Sequence, residues 1–190
     1  MGKRTFLLAS VLMLNACSLI YEQDTRSTKI EWEDRQISMK IAGIVNRASF
    51  IDSIRVNAAS YAGKVLLVGQ AKTELLKQSL ITKIRELDGI EIVYDQIRIK
   101  VPLSLYEVSK DTWLTAKVKS AIISSKRLRD VDIKVITEDR EVFLLGYVSR
   151  EQANDVVEIT RNISGVKRVI KGFQYNEDKA EKTNKPHHVR

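Results

Sequence analysis

The chain is poor in the residues on which most catalytic and redox chemistry depends. Among 190 residues there is one cysteine, Cys17. An intrachain disulfide is therefore impossible, and a cysteine-rich metal site is excluded. The two histidines, His187 and His188, fall in the last four residues, so a histidine base would have to act from a terminus prone to fraying. Only two prolines and eight glycines occur, while 44% of residues are hydrophobic and 29% charged. That composition excludes a low-complexity or wholly disordered chain. No apolar run reaches the ~18 residues of a membrane-spanning helix, and the one sustained apolar stretch is Phe6 to Leu14. A phosphate-binding glycine loop, a nucleophile elbow and a histidine-containing zinc motif are all missing. The acids Asp130, Asp132, Glu138, Asp139 and Glu141 lack the spacing of a calcium loop. Asp88-Gly89 and Asp139-Arg140 have turn chemistry instead. These absences predict a protein that is not an enzyme, with no catalytic residues, metal, cofactor or small-molecule substrate.

What the chain does have is positive charge. The formal net charge is +8, which suits an anionic partner: nucleic acid, a membrane surface or an acidic protein. The N-terminus narrows that choice. Lys3 and Arg4 form a basic n-region, Thr5 to Leu14 an apolar h-region, and Leu14-Asn15-Ala16-Cys17 follows. A small residue before a cleavage point is what a secretory peptidase needs. The cysteine behind it resembles the bacterial lipobox. The resemblance implies cleavage before Cys17, a diacylglycerol thioether on its sulfur and a fatty acyl group such as palmitate on its amine. Two or more acyl chains hold stably to a bilayer where one does not. Ser18, in place of an aspartate, favours the outer membrane by the general sorting pattern of such lipoproteins. Removing residues 1–16 takes away two positive charges and leaves about +6 on the mature chain. Secretion argues against nucleic acid as the partner.

The mature chain is a duplication. Shifted by 77 positions, Asp34 to Gly69 falls on Asp111 to Gly146 without a gap. Apolar residues meet apolar ones: Ile37, Ile41, Ile44 and Val45 meet Leu114, Val118, Ala121 and Ile122, and Val65 and Leu67 meet Val142 and Leu144. One extra residue in the first copy then brings Leu87, Gly89 and Val93 onto Ile163, Gly165 and Val169. Each copy has the pattern helix, strand, strand, helix, strand. Thr73 is a candidate N-cap, Ser149 to Gln152 has capping-box spacing, and Gly89 and Gly165 sit at the expected helix ends. The expected fold class is α+β: two tandem αββαβ domains, each a small mixed sheet with two helices. The expected divisions are a signal peptide at 1–16, lipidated Cys17 and polar spacer at 17–33, a first domain at 34–100, a linker at 101–110, a second domain at 111–175 and a disordered tail at 176–190. A unit of about 65 residues buries a thin core, so the two domains could pack on each other.

Two such units behind a lipobox resemble BON domains, and in particular the dual BON-domain outer-membrane lipoproteins of the DolP/YraP family. The resemblance is carried by Tyr61-Ala62-Gly63-Lys64-Val65-Leu66-Leu67-Val68-Gly69-Gln70, Asp111-Thr112-Trp113 and Gly165-Val166-Lys167-Arg168-Val169. It implies a non-enzymatic protein, facing the periplasm from the outer membrane, that binds anionic phospholipid and supports envelope integrity.

At 100° per residue, Leu114, Val118, Ala121 and Ile122 share one side of the second domain's first helix. Trp113, Ala116, Ser120 and Ile123 lie opposite, flanked by Lys117 and Lys119 and followed by Lys126 and Arg127. From Thr112 to Arg129 there are five basic residues and no acidic one. The first copy places Gln36, Met39, Gly43 and Asn46 at the equivalent outer positions. A helix with Trp and Ile outward and lysines at its borders meets the needs of an interfacial membrane contact. The resemblance also matches this helix to the lipid-facing helix of the second BON domain. Trp113, Ala116, Lys117, Lys119, Ser120, Ile123, Lys126 and Arg127 are thus the candidate phospholipid-binding residues. The same pattern also permits Trp113 to pack on the other domain or on the linker. It permits docking on a protein partner too, such as an outer-membrane assembly or division-site component, or action as a membrane-perturbing haemolysin-like protein. Lys167, Arg168 and Lys171 form either a second anionic contact or a solvated strand edge.

Overall fold

In the computed structural model, residues 28–129 and 131–175 are described. Cys17, the signal region, Asp130 and the tail from 176 onward lie outside them. The first unit is α1 (Thr28–Val45), β1 (Ile54–Tyr61), β2 (Lys64–Ala71), α2 (Glu74–Arg85) and β3 (Ile92–Ile99). The second is α3 (Leu105–Ser124), a single 3-10 turn (Lys126–Leu128), β4 (Ile133–Glu138), β5 (Glu141–Val148), α4 (Arg150–Arg161) and β6 (Arg168–Tyr175). Each unit forms a three-stranded sheet with the middle strand antiparallel to the first and parallel to the third. The chemistry of the connections dictates this order. A two-residue turn can only join antiparallel neighbours, whereas a parallel return needs a crossover, which α2 and α4 supply. The caps expected from sequence are present. Thr73 accepts from Leu76 N–H, and Ser149 and Gln152 close a reciprocal capping box.

Two segments differ from the sequence reading. Residues 28–33, placed in the spacer, are the first turns of α1, and residues 105–110, placed in the linker, are the first turns of α3. The signal for the second was available, because Ser104 and Glu107 have capping-box spacing and both of its hydrogen bonds form. Gly89 and Gly165 do have positive φ (85° and 106°). Their helices end earlier, however, with Glu86 and Asn162 at the C-caps. The glycines serve the turns into β3 and β6.

Both hairpins are held by one matched residue. The central turn residues all lie at positive φ: Ala62 and Gly63 in the first, Asp139 and Arg140 in the second. In the first unit the buried carboxylate of Asp34 accepts from Ala62 N–H at 2.8 Å and Gly63 N–H at 3.2 Å. In the second, buried Asp111 accepts from Asp139 N–H at 2.7 Å and Arg140 N–H at 2.9 Å. The first helix of each unit is thereby locked to the tip of its hairpin, and unpaired turn amides are avoided.

Each unit has its own core between helices and sheet. Ile37, Ile41, Val65, Leu67, Leu80 and Ile84 are central to the first, and Val118, Ile122, Val142, Leu144 and Val156 to the second. A third cluster, Leu66, Val68, Phe143 and Leu145, joins the opposite faces of the two middle strands. The molecule is therefore four layers deep: helices, sheet, sheet, helices. The middle strands Val65–Val68 and Val142–Leu145 are continuously apolar because they are buried on both faces. Polar groups border this third cluster. Glu138, almost fully buried, accepts from Arg55 at 2.6 and 2.7 Å, Asn57 at 2.9 Å and Gln70 at 2.7 Å. Glu141 accepts from Arg98 and Arg168, and Lys100 donates to Asp139 at 2.8 Å. Burial works against ionisation of Glu141, but the Arg168 and Arg98 guanidiniums outweigh it and hold the carboxyl below the ordinary range. The Lys100 ammonium does the same for Asp139.

Candidate functional site

Helix α3 packs on β4 and α4 of its own unit, with Leu114, Val118 and Ile122 buried beneath it. A 20-residue helix with one apolar stripe satisfied still presents the rest of its circumference to solvent. On that outer side Trp113 is 67% exposed and Ile123 61%. Trp113 is thus covered neither by the first domain nor by the segment before α3. Ala116, Lys117, Lys119 and Ser120 are exposed beside it, and Lys126 and Arg127 follow on the 3-10 turn. Seven of the eight candidate residues are open to solvent with no carboxylate bound among the described residues. The eighth, Arg127, donates to Asp155 at 2.9 Å. The Lys117 ammonium stands 6.0 Å from the centre of the Trp113 ring, at the outer limit of a cation–π contact. Its other contact is a long one of 3.5 Å to the Ser164 carbonyl. This geometry can offer an amphipathic ring and several cations to one planar anionic surface.

The contrast with the first unit is one of charge more than of exposed apolar area. On α1, Trp32 is 62% exposed and Met39 61%, seven residues apart on one face. Trp32 lies in residues 28–33, which the sequence reading places in the spacer. Its surroundings are acidic as well as basic: Lys29 pairs with Glu33 at 3.8 Å and Arg35 with Glu31. The cations there are already matched by carboxylates. The apolar feature is on both first helices; among the described residues, exposed lysines without a carboxylate partner are more numerous on the second, with Lys110, Lys117 and Lys119 on α3 against Lys40 on α1.

Of the basic residues on β6, Arg168 is already paired within the protein, its guanidinium donating to Glu141 at 2.6 Å. Gly69 and Gly146 do not cradle a ligand. A Cβ on Gly69 would fall 2.0 Å from the Arg55 carbonyl oxygen, and one on Gly146 would fall 2.5 Å from that of Asp132. Both glycines allow the first strand of each sheet to close on the second. Among the described residues no group of three or more His, Cys, Asp or Glu is placed to hold a metal ion, and no helix is long and apolar enough to cross a membrane.

The duplicated αββαβ fold defines a tandem BON-domain protein, and the BON domain matches the chain twice, at residues 33–101 and 110–177. The outer membrane lipoprotein DolP of Haemophilus influenzae is 38% identical over 168 residues, covering 88% of this chain and 87% of that protein. A 21 kDa hemolysin of Actinobacillus pleuropneumoniae is 33% identical, covering 80% of this chain and 79% of its own. Osmotically-inducible protein Y of Escherichia coli is 35% identical over 74 residues, 37% of each chain. The chain belongs to the dual BON-domain DolP/YraP family.

Proposed function

We propose that this chain is an outer-membrane lipoprotein, anchored through acylated Cys17 and facing the periplasm, that rests on anionic phospholipid through α3 of its second domain. In that position it supports the integrity of the outer membrane and carries out no chemical reaction. The observation that supports this reading best is the exposed Trp113 with Lys117 and Lys119 beside it on a face bare of acids. An indole is well accommodated at headgroup depth. Each lysine held near an anionic surface contributes about 1 kcal/mol. Binding through this helix alone is accordingly modest and weakens with salt, and the anchor raises the effective concentration of the surface.

The test compares the chain from residue 18 onward, which keeps every described residue, with its Trp113→Glu variant on phosphatidylglycerol vesicles. The expected outcome is strong loss of binding in the variant with unchanged melting temperature. Equal binding by both would remove α3 from the contact. Capture of an outer-membrane protein in the absence of vesicle binding would favour a protein-docking role. Release of entrapped dye, measured in the same vesicles, would favour the lytic activity that the hemolysin's name ascribes to that relative; none is expected.

A further inference from the structure

Because α3 begins at Leu105, its outer face is longer than the candidate site. The added turns repeat a pattern. Tyr106 precedes Lys110 by four residues, as Trp113 precedes Lys117. The Lys110 ammonium lies 4.2 Å from the centre of the Tyr106 ring, closer than the 6.0 Å of Lys117 and Trp113. The two pairs are seven residues apart, two helical turns or about 10.5 Å along the axis. At 100° per residue they differ by only about 20° around it, so they share one face. Tyr106 is 68% exposed, and Leu105 is exposed on the same flank as Ile123. The two acids of α3 take no part in this face. Glu107 is engaged by Ser104 in the capping box, and Asp111 is buried on the amides of Asp139 and Arg140.

On the reading of α3 as a phospholipid contact, we infer that Tyr106 and Lys110 form a second headgroup-contact unit for anionic bilayer phospholipid. Helix α3 then lies along the membrane plane with both units engaged. The chemistry of the two pairs is the same. The ring sits at the polar–apolar boundary, and the ammonium poised over its face is offered to a lipid phosphodiester. A helix with one aromatic anchor is free to dip in by one end. Two anchors on one face, two turns apart, fix its axis parallel to the surface. Leu105 and Ile123 then complete the apolar contact at the two ends.

The experiment places a fluorescent reporter at each unit in turn, in the chain from residue 18 onward with Trp32→Phe. One protein keeps Trp113, and the other carries Trp113→Phe together with Tyr106→Trp. With phosphatidylglycerol vesicles both emissions are expected to shift to the blue, and bromine-labelled acyl chains are expected to quench them equally. Lys110→Gln is expected to weaken binding about fivefold, as is Lys117→Gln. All five substituted positions are exposed, so unchanged melting temperatures establish that the variants are folded. A response at 113 without one at 106, or an undiminished affinity in Lys110→Gln, overturns the second unit and leaves the first standing. Absence of a response at both positions overturns the membrane reading as well.

Discussion

Arg55 of the first domain and Glu138 of the second form an ion pair across the sheet–sheet interface, with one guanidinium nitrogen 2.6 and 2.7 Å from the two carboxylate oxygens. In the sequence repeat Glu138 occupies the position held by Tyr61 in the first copy, and Glu141 the position of Lys64. The copies have diverged where they meet. The first contributes Arg55, Arg98 and Lys100, and the second contributes Glu138, Asp139 and Glu141. Each domain is thereby suited to the other more than to a second copy of itself.

Glu138→Ala leaves Arg55, Asn57 and Gln70 without their shared acceptor in a region from which water is largely excluded. Breaking a buried pair from one side costs about 3 kcal/mol. Urea denaturation should show a loss of that order, with Glu138→Gln less severe because its one amide oxygen still accepts from either Gln70 or Asn57, which donate to different oxygens of the carboxylate.

The interface should also weaken in acid. The carboxyls of Asp139 and Glu141 titrate below their ordinary range in the folded protein, owing to Lys100 in the first case and, against the opposing effect of burial, to Arg168 and Arg98 in the second. The folded state therefore binds fewer protons than the unfolded state between the two sets of pKa values, and stability falls as pH falls. Their contribution is complete above an ordinary carboxylate pKa of about 4 and disappears as pH drops through the folded values. Melting temperatures from pH 7 to 3 should decline less steeply in an Asp139→Asn, Glu141→Gln double variant, from a lower starting point.

The hairpin locks permit a paired test. Asp111→Ala strands the amides of Asp139 and Arg140, and Asp34→Ala those of Ala62 and Gly63. Each should cost about 2 kcal/mol by denaturation. In the opposite direction, Arg140 holds φ at 60° where the first copy has Gly63. Arg140→Gly should raise stability by about 1 kcal/mol.

Gly146→Ala is expected to be far more damaging. Its Cβ would enter the space of a backbone oxygen 2.5 Å away, and neither strand can yield without breaking its ladder. Loss of cooperative unfolding by calorimetry is the expected readout, while Gly43→Ala, with nothing within 4 Å, should be neutral or mildly stabilising.

Most of the fold was legible because duplication supplied each half with an internal control. The matched apolar positions, Thr73, Ser149 and the Asp139-Arg140 turn all place elements where they occur. The exposed side of α3 followed from helical periodicity alone. What escaped had a physical reason in each case. Residues 28–33 and 105–110 each cover less than two helical turns, too few for their apolar side chains (Ile30 and Trp32; Leu105, Tyr106 and Val108) to establish a period by themselves, and only the Ser104–Glu107 spacing announces the longer helix, so Trp32 and Tyr106 escape a reading of the sequence. The role of Asp34 and Asp111 was hidden although their identity in the two copies was visible, since a carboxylate that caps a distant turn leaves no local pattern. The engagement of Arg127 and Arg168 with Asp155 and Glu141 depends on tertiary approach that spacing does not encode.

The depth of the stack also bears on the leash. Four layers at about 10 Å each give a body roughly 40 Å through, with α1 on one outside and α3 on the other. Ten residues lie between Cys17 and Thr28, and the eleven steps from one to the other span at most roughly 38 Å when fully stretched. On the proposed anchoring at Cys17 and contact through α3, the leash is no longer than the body is deep, so α3 meets the leaflet that holds the mooring only with the leash close to full stretch. On that same proposal, trimming a few residues from the leash is expected to keep α3 from the surface.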